Sequence, residues 1–250
     1  MDFSIIFLAL SIGILPAIIW LVFWLREDAQ NPEPIGLIIK TFVAGGAVVV
    51  LVLPVQVLVD RIFPGMGVMA FTFWAFSEEA FKFLAAYYVA IRGREDNEPL
   101  DPMMYMIVVA LGFVAVENVL FIMNPLLQED MIVREHILEG LLTGNMRFIG
   151  ASLLHIVSSA TIGVALSLNF YKTKLKKISW GIFSFLLAVI IHTVFNLFII
   201  NQKDVGIFLT FGTVWAGITI LLLIFEKVKT IKSPQASGDT ISTGNTSTTI

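Results

Sequence analysis

Four clusters of polar residues interrupt otherwise apolar sequence, and their side chains are of the kinds that hydrolyse bonds. Glu78 and Glu79 stand beside Lys82 in "FWAFSEEAFKFLAAYYV", residues 73–89. Glu117 and Asn118 follow, then His155 with Ser158 and Ser159, then His192 with Asn196. A buried carboxylate can take a proton from water. Lys82, at i+4 from Glu78 and i+3 from Glu79, can hold either carboxylate ionised and oriented. A histidine and the Asn196 amide can donate hydrogen bonds to the oxyanion of a tetrahedral intermediate. Alternatively, Glu79, Glu117, His155 and His192 could hold a metal ion through imidazole nitrogens and carboxylate oxygens. The sequence leaves open whether there is no cofactor or one divalent cation such as zinc.

The elements that position these residues are membrane-spanning helices. Of 250 residues 57% are hydrophobic and only 14% charged, and the mean hydropathy is +0.88; soluble domains carry about 25% charged residues. A spanning helix needs roughly 20 apolar residues. Seven stretches qualify, at about 3–25, 35–59, 66–91, 102–124, 146–170, 178–200 and 204–225. The expected fold is therefore all-α, a polytopic transmembrane helix bundle of about seven spans. The first stretch lacks a basic start and a small-residue cleavage site, so it reads as a retained span rather than a signal peptide. Residues 1–60 form N-terminal transmembrane helices, 61–225 a catalytic transmembrane core, and 226–250 a polar tail too poor in apolar residues to pack. The segment "NPLLQEDMIVREHILEGLLTGN" has leucines and methionines near helical spacing, which suggests an amphipathic helix on the membrane surface, acting as a connector or a gate.

With no cysteine, neither disulfides nor thiolate chemistry are available. No basic cluster interleaved with aromatics points to nucleic acid. The partner expected from composition is the lipid bilayer.

Basic residues gather on one side of the membrane. Loops after spans 1, 3, 5 and 7 hold Arg26, Arg92, Arg94, Lys172, Lys174, Lys176, Lys177, Lys227, Lys229 and Lys232; the other side has Arg61, Arg134, Arg147 and Lys203. The positive-inside bias makes the chain a multi-pass cell-membrane protein with its N-terminus extracytoplasmic and its C-terminus cytoplasmic. Counted from the outer ends of their spans, Glu78, Glu117, His155 and His192 then fall at similar depth in the outer half of the bilayer. A lone Glu–Lys pair could be a neutralised helix contact, and a lone buried histidine a packing residue. Asn118 and Ser158 read as interhelical hydrogen-bond formers, and Phe113 as packing. Those readings do not account for four helices presenting ionisable groups at one depth, where each costs a few kcal/mol.

Other intramembrane hydrolases fit less well. The chain lacks His-Glu-x-x-His, a Gly-x-Ser-x-Gly elbow, and an aspartate deep in a span. The order of motifs resembles instead the PrsW-type membrane proteases, relatives of the CAAX-processing and bacteriocin-processing membrane peptidases. The resemblance rests on Glu78-Glu79-x-x-Lys82, Gly112-Phe113-x-x-x-Glu117-Asn118, His155 with Ser159 and Gly163, and His192-x-x-x-Asn196, over about residues 70–200. Ser158 and Phe121 depart from the family pattern, where an aromatic residue and a tyrosine are expected. The resemblance implies a membrane-embedded peptidase with Glu78, Glu79, Glu117, His155, His192 and Asn196 as catalytic residues, supported by Lys82, Asn118 and Ser159. It also implies a membrane-anchored protein substrate cut near its extracytoplasmic side, an anti-sigma factor being one family example. CAAX-type relatives have histidine where Glu117 stands, which argues against prenylated ends as substrates. The competing expectation is an ion- or proton-coupled transporter that uses the same Glu/Lys/His cluster; the absence of an internal repeat counts against it.

Overall fold

The structure is a computed structural model that describes residues 3–65, 67–127, 131–200 and 205–232, with side chains described at 7, 10–65, 67–123, 150–198 and 212–232. Its elements are α1 (Phe3–Glu27), α2 (Ile35–Ile62), α3 (Val68–Ala86), α4 (Asp101–Leu127), α5 (Met131–Leu168), α6 (Lys174–Ile200) and α7 (Val205–Lys229). A π-helical turn, Tyr87–Ile91, prolongs α3 without a break. The described elements are thus all helical; six of them follow the expected apolar stretches closely, whereas α5 begins at Met131, well before the expected start near residue 146. Among them, α1, α2, α4, α5 and α6 are long and apolar enough to cross a membrane. α3 carries Glu78, Glu79 and Lys82 within a short helix, which lowers its hydropathy. Residues 131–145, expected as a separate surface helix, are the first turns of α5; their side chains, like the polar tail beyond Lys232, lie outside the described residues.

α4 is the axis of the bundle. Every residue from Asp101 to Ala115 is buried, as expected of a helix that is apolar all round. Around it pack α5, α2 and α1. Missing side chains make the closest of these approaches possible. A Cβ on Gly112 of α4 would lie 1.9 Å from the Phe42 carbonyl oxygen of α2, and one on Gly45 of α2 would lie 2.0 Å from that of Val109. The two backbones cross in contact, the close packing that small residues permit between membrane helices. Gly163 of α5 does the same against Met103 of α4, where a Cβ would meet the Met103 Cα at 2.6 Å. Both Gly112 and Gly163 belong to the sequence motifs, so those motifs encode helix spacing as well as chemistry.

α3 lies outside this core, packed between α2 and α6. Its polar face therefore looks inward on α2, α4, α5 and α6 together. α7 closes the bundle beside α1 and α5, with Trp24 of α1 fully buried 5.3 Å from the Phe225 ring.

Candidate active site

Adjacent residues on a helix point about 100° apart, so Glu78 and Glu79 serve different neighbours. Glu79 faces α5 and α6. Its Oε1 accepts from Lys82 Nζ at 2.8 Å, His192 Nδ1 at 2.9 Å and Ser158 Oγ at 3.0 Å, and its Oε2 accepts from Ser159 Oγ at 2.7 Å. This carboxylate is fully buried and saturated with donors. Glu78 faces α2, where its Oε1 accepts from Gln56 Nε2 at 2.9 Å. Its Oε2 is buried with no hydrogen-bond partner; Lys82 Nζ is 3.8 Å away and His192 Nε2 3.5 Å.

Lys82 is the hub, buried completely, with its ammonium 4.4 Å from the centre of the Phe113 ring. It also contacts His155 Nδ1 at 2.8 Å. An ammonium only donates, so His155 Nδ1 accepts and the ring proton sits on Nε2. That Nε2–H donates to Glu117 Oε2 at 2.8 Å. His192 Nδ1 donates to the ionised Glu79, so its Nε2 presents a lone pair toward Glu78 Oε2. The two rings meet edge to face with centroids 4.9 Å apart.

Glu78 Oε2, without a hydrogen-bond partner, faces His192 Nε2 at 3.5 Å, and an electropositive group would suit the space they share. Glu78, His155 and His192 each offer one ligand atom within 4.8 Å of the others, the only such group among the described residues. Two imidazoles and a carboxylate are a known catalytic zinc set; Glu78 Oε2 and His192 Nε2 are placed for such an ion, and His155, engaged by Lys82 and Glu117, joins it only after a change of tautomer. Glu79 is excluded from it by its four donors, and Glu117 stands behind His155.

Most of the residues singled out in the sequence converge here, from α3 (Glu78, Glu79, Lys82), α4 (Glu117), α5 (His155, Ser158, Ser159) and α6 (His192). Burial is tight except at Glu117, whose side chain is 39% exposed. Two residues stand apart. Asn118 Nδ2 turns away to the Gly13 carbonyl of α1 at 3.4 Å. Asn196 lies one turn beyond His192, half-buried, and makes no hydrogen bond to the cluster among the described residues. Gln56 was not foreseen: nothing in the sequence of α2 ties this glutamine to Glu78, and only the α2–α3 contact reveals it. Phe113 packs in the core with Val48, Val49 and Val52, as expected, and also forms a face shared by Lys82 and His155, its ring centre 5.2 Å from that of the imidazole.

Comparison with known proteins agrees with this architecture. The family described as "PrsW family intramembrane metalloprotease" matches residues 33–225. Protease PrsW of Halalkalibacterium halodurans is 26% identical over 195 residues, covering 76% of this chain and 82% of its own. Protease PrsW of Geobacillus kaustophilus is 25% identical over 241 residues, 93% of both chains. That of Bacillus subtilis is 26% identical over 120 residues, 47% of this chain and 55% of its own. No solved structure matches the chain. The family match begins before α2, so Gln56 lies inside it, beyond the reach of the motif resemblance. A match over residues 33–225, joined to this buried cluster, places the chain in the PrsW family of intramembrane metalloproteases, as a multi-pass membrane peptidase.

Proposed function

We propose that the cluster hydrolyses peptide bonds of membrane-anchored proteins, with Glu78 as the working carboxylate and Glu79 as its positioning partner. The observation that carries this reading is the difference between the two neighbours: Glu79 accepts four hydrogen bonds, whereas Glu78 Oε2 accepts none. A base must have a free lone pair within reach of the water it deprotonates.

Gln56 aims Glu78 by holding its other oxygen. Glu79 holds Lys82 and His192 in place, which keeps the His192 Nε2 lone pair directed into the site. Lys82 fixes the His155 tautomer, and the His155 Nε2–H faces Glu117. Glu117, the partly exposed member, exchanges protons between the buried cluster and the aqueous phase. A divalent cation such as zinc would be held by Glu78, His155 and His192, with Glu78 Oε2 then a ligand rather than a base, and with Lys82 giving a proton to His155 Nδ1 as the Nε2 proton passes to Glu117. Such an ion, when bound, supplies Lewis-acid polarisation of the scissile carbonyl. Asn196, one turn further along α6, meets the substrate rather than the cluster.

The charge bias of the loops supports an extracytoplasmic N-terminus and a cytoplasmic C-terminus, which sets the site in the outer half of the membrane. Substrates are then single-pass proteins cut near their outer ends, a class that includes anti-sigma factors. Co-expression with single-pass reporters tests the reading. Cleavage by the wild type that Glu78→Gln abolishes supports it. Ion flux in vesicles with no cleavage of any reporter favours a carrier instead.

A further inference from the structure

A second feature lies at the opposite end of α3 from its entry, on the lipid-facing side. Between α3 with its π-turn and α6 runs a groove of about 840 Å³, floored by Ile162 and Leu166 of α5. Phe83, Leu84 and Tyr87 form one wall, and Gly181, Ile182 and Phe185 the other. The far end is closed where Phe185 packs edge-on against Phe76 at 5.2 Å. At the mouth the lining changes character, to Arg92, Lys174 and Lys177, opposed by one carboxylate, Asp96. Aromatic rings hold two of these cations in place: Arg92 sits 4.7 Å from the Tyr88 ring centre and Lys177 5.0 Å from that of Phe170.

We propose that this groove binds an anionic phospholipid, with an acyl chain between α3 and α6 and the phosphate against Arg92, Lys174 and Lys177. Groove and lipid are complementary at each depth. An apolar slot open to the bilayer suits a hydrocarbon chain, and three cations at its aqueous end suit a phosphate that bears net charge. Basic pockets between membrane helices recognise lipid head groups in this way. Asp96 opposes the phosphate only weakly, because burial, with Asp101 close by, pushes its carboxyl up to about 7.

A substrate segment is the other candidate occupant, and the charges disfavour it. Under the orientation proposed above the mouth is cytoplasmic, and single-pass proteins carry their own lysines and arginines there. Three cations would repel that flank. The lipid also has a structural consequence. The walls of the groove are the helices that carry Glu79 and His192, so an occupant fills the space beside the Glu79–His192 contact without displacing it.

The test uses the full chain in detergent, with phosphatidylglycerol and phosphatidylcholine of identical acyl chains as probes and native mass spectrometry as the readout. Wild type should retain phosphatidylglycerol about tenfold or more over phosphatidylcholine. The combined variant Arg92→Gln, Lys174→Gln, Lys177→Gln should lose that preference. A second variant probes the slot independently of charge. A Cβ at Gly181 meets only Leu166 Cδ2, at 3.9 Å, so Gly181→Leu is accommodated at its root and fills the groove. It should lower retention of both lipids. Lys227→Gln with Lys232→Gln, basic residues outside the groove, should change nothing. Equal retention of the two lipids by wild type overturns the proposal. So does a preference that survives the triple substitution, or competition by soluble glycerol phosphate at the lipid's own concentration.

Discussion

His192 Nδ1 lies 2.9 Å from Glu79 Oε1, and this single contact between α6 and α3 decides which nitrogen of the ring faces the site. With Nδ1 donating to Glu79, the Nε2 lone pair turns toward Glu78 Oε2, 3.5 Å away. The arrangement is that of a second carboxylate orienting a histidine whose other nitrogen does the work. Loss of the contact frees the ring to flip, and a donor then points where an acceptor is needed.

Removal of Glu79 should therefore damage the fold as well as the reaction. Glu79→Ala strands Lys82, Ser158, Ser159 and His192 without their common acceptor. Breaking a buried ion pair by removing one partner costs about 3–5 kcal/mol. A clear fall in melting temperature of the detergent-purified protein is expected, and an unchanged one would contradict the saturated-anchor role.

Gln56 should act on rate rather than on substrate binding. Gln56→Leu removes the hydrogen bond that aims Glu78, worth roughly 1.5–3 kcal/mol for a bond to a charged group. We expect kcat to fall at least tenfold with KM little changed. A variant with wild-type kcat would show that Glu78 is oriented by something else.

A bound cation should depend on the same three residues. Zinc added to the chelator-treated protein should bind at one equivalent, measured by elemental analysis, and His192→Ala should lose it. Wild-type stoichiometry in that variant would place the metal elsewhere. Cleavage that persists in chelator would leave Glu78 to act on water without an ion.

The end of the bundle that carries Asp28 should respond to pH. Burial, with Asp101 and Glu98 nearby, pushes the Asp28 carboxyl up to about 7, against 3.8 in an ordinary aspartate. Between those two values the folded protein binds a proton that the unfolded chain has lost, so stability from this group falls as pH rises through 7. Asp28→Asn mimics the protonated form. It should raise the melting temperature by a few degrees at pH 8 and by less at pH 5, and equal shifts at both would refute the assignment.

Orientation can be read by labelling, because the chain has no cysteine of its own. In intact cells an impermeant thiol reagent should modify Gly67→Cys, at the start of α3, and spare Thr173→Cys, between α5 and α6. The reverse pattern would invert the topology. Both positions are exposed, and Gly67 has room for a side chain.

The helices and the clustering were legible in the sequence because they rest on composition and on depth along a helix. Seven apolar stretches became seven helices, and residues at one depth on α3, α4, α5 and α6 met. What a linear reading could not supply was azimuth between helices. Glu78 and Glu79 have the same chemistry and nearly the same spacing from Lys82, so their roles separate only when α2 lies on one side of α3 and α5 with α6 on the other. Gln56 escaped for the same reason, since its partner is 22 residues away on another helix. Asn118 and Asn196 show the converse: each shares a motif with a cluster residue, yet Asn118 turns to α1 and Asn196 stands a turn beyond His192.

The central claim is that one glutamate of the pair reacts and the other positions, and one comparison tests it most directly. Glu78→Gln and Glu79→Gln should be purified side by side, each assayed for cleavage of one single-pass reporter and for thermal stability. Glu78→Gln should abolish cleavage and melt near the wild-type temperature, because its unpaired Oε2 holds nothing together. Glu79→Gln should melt lower, since the amide cannot accept from Lys82, His192 and two serines as a carboxylate does. Undiminished cleavage by Glu78→Gln would contradict the account.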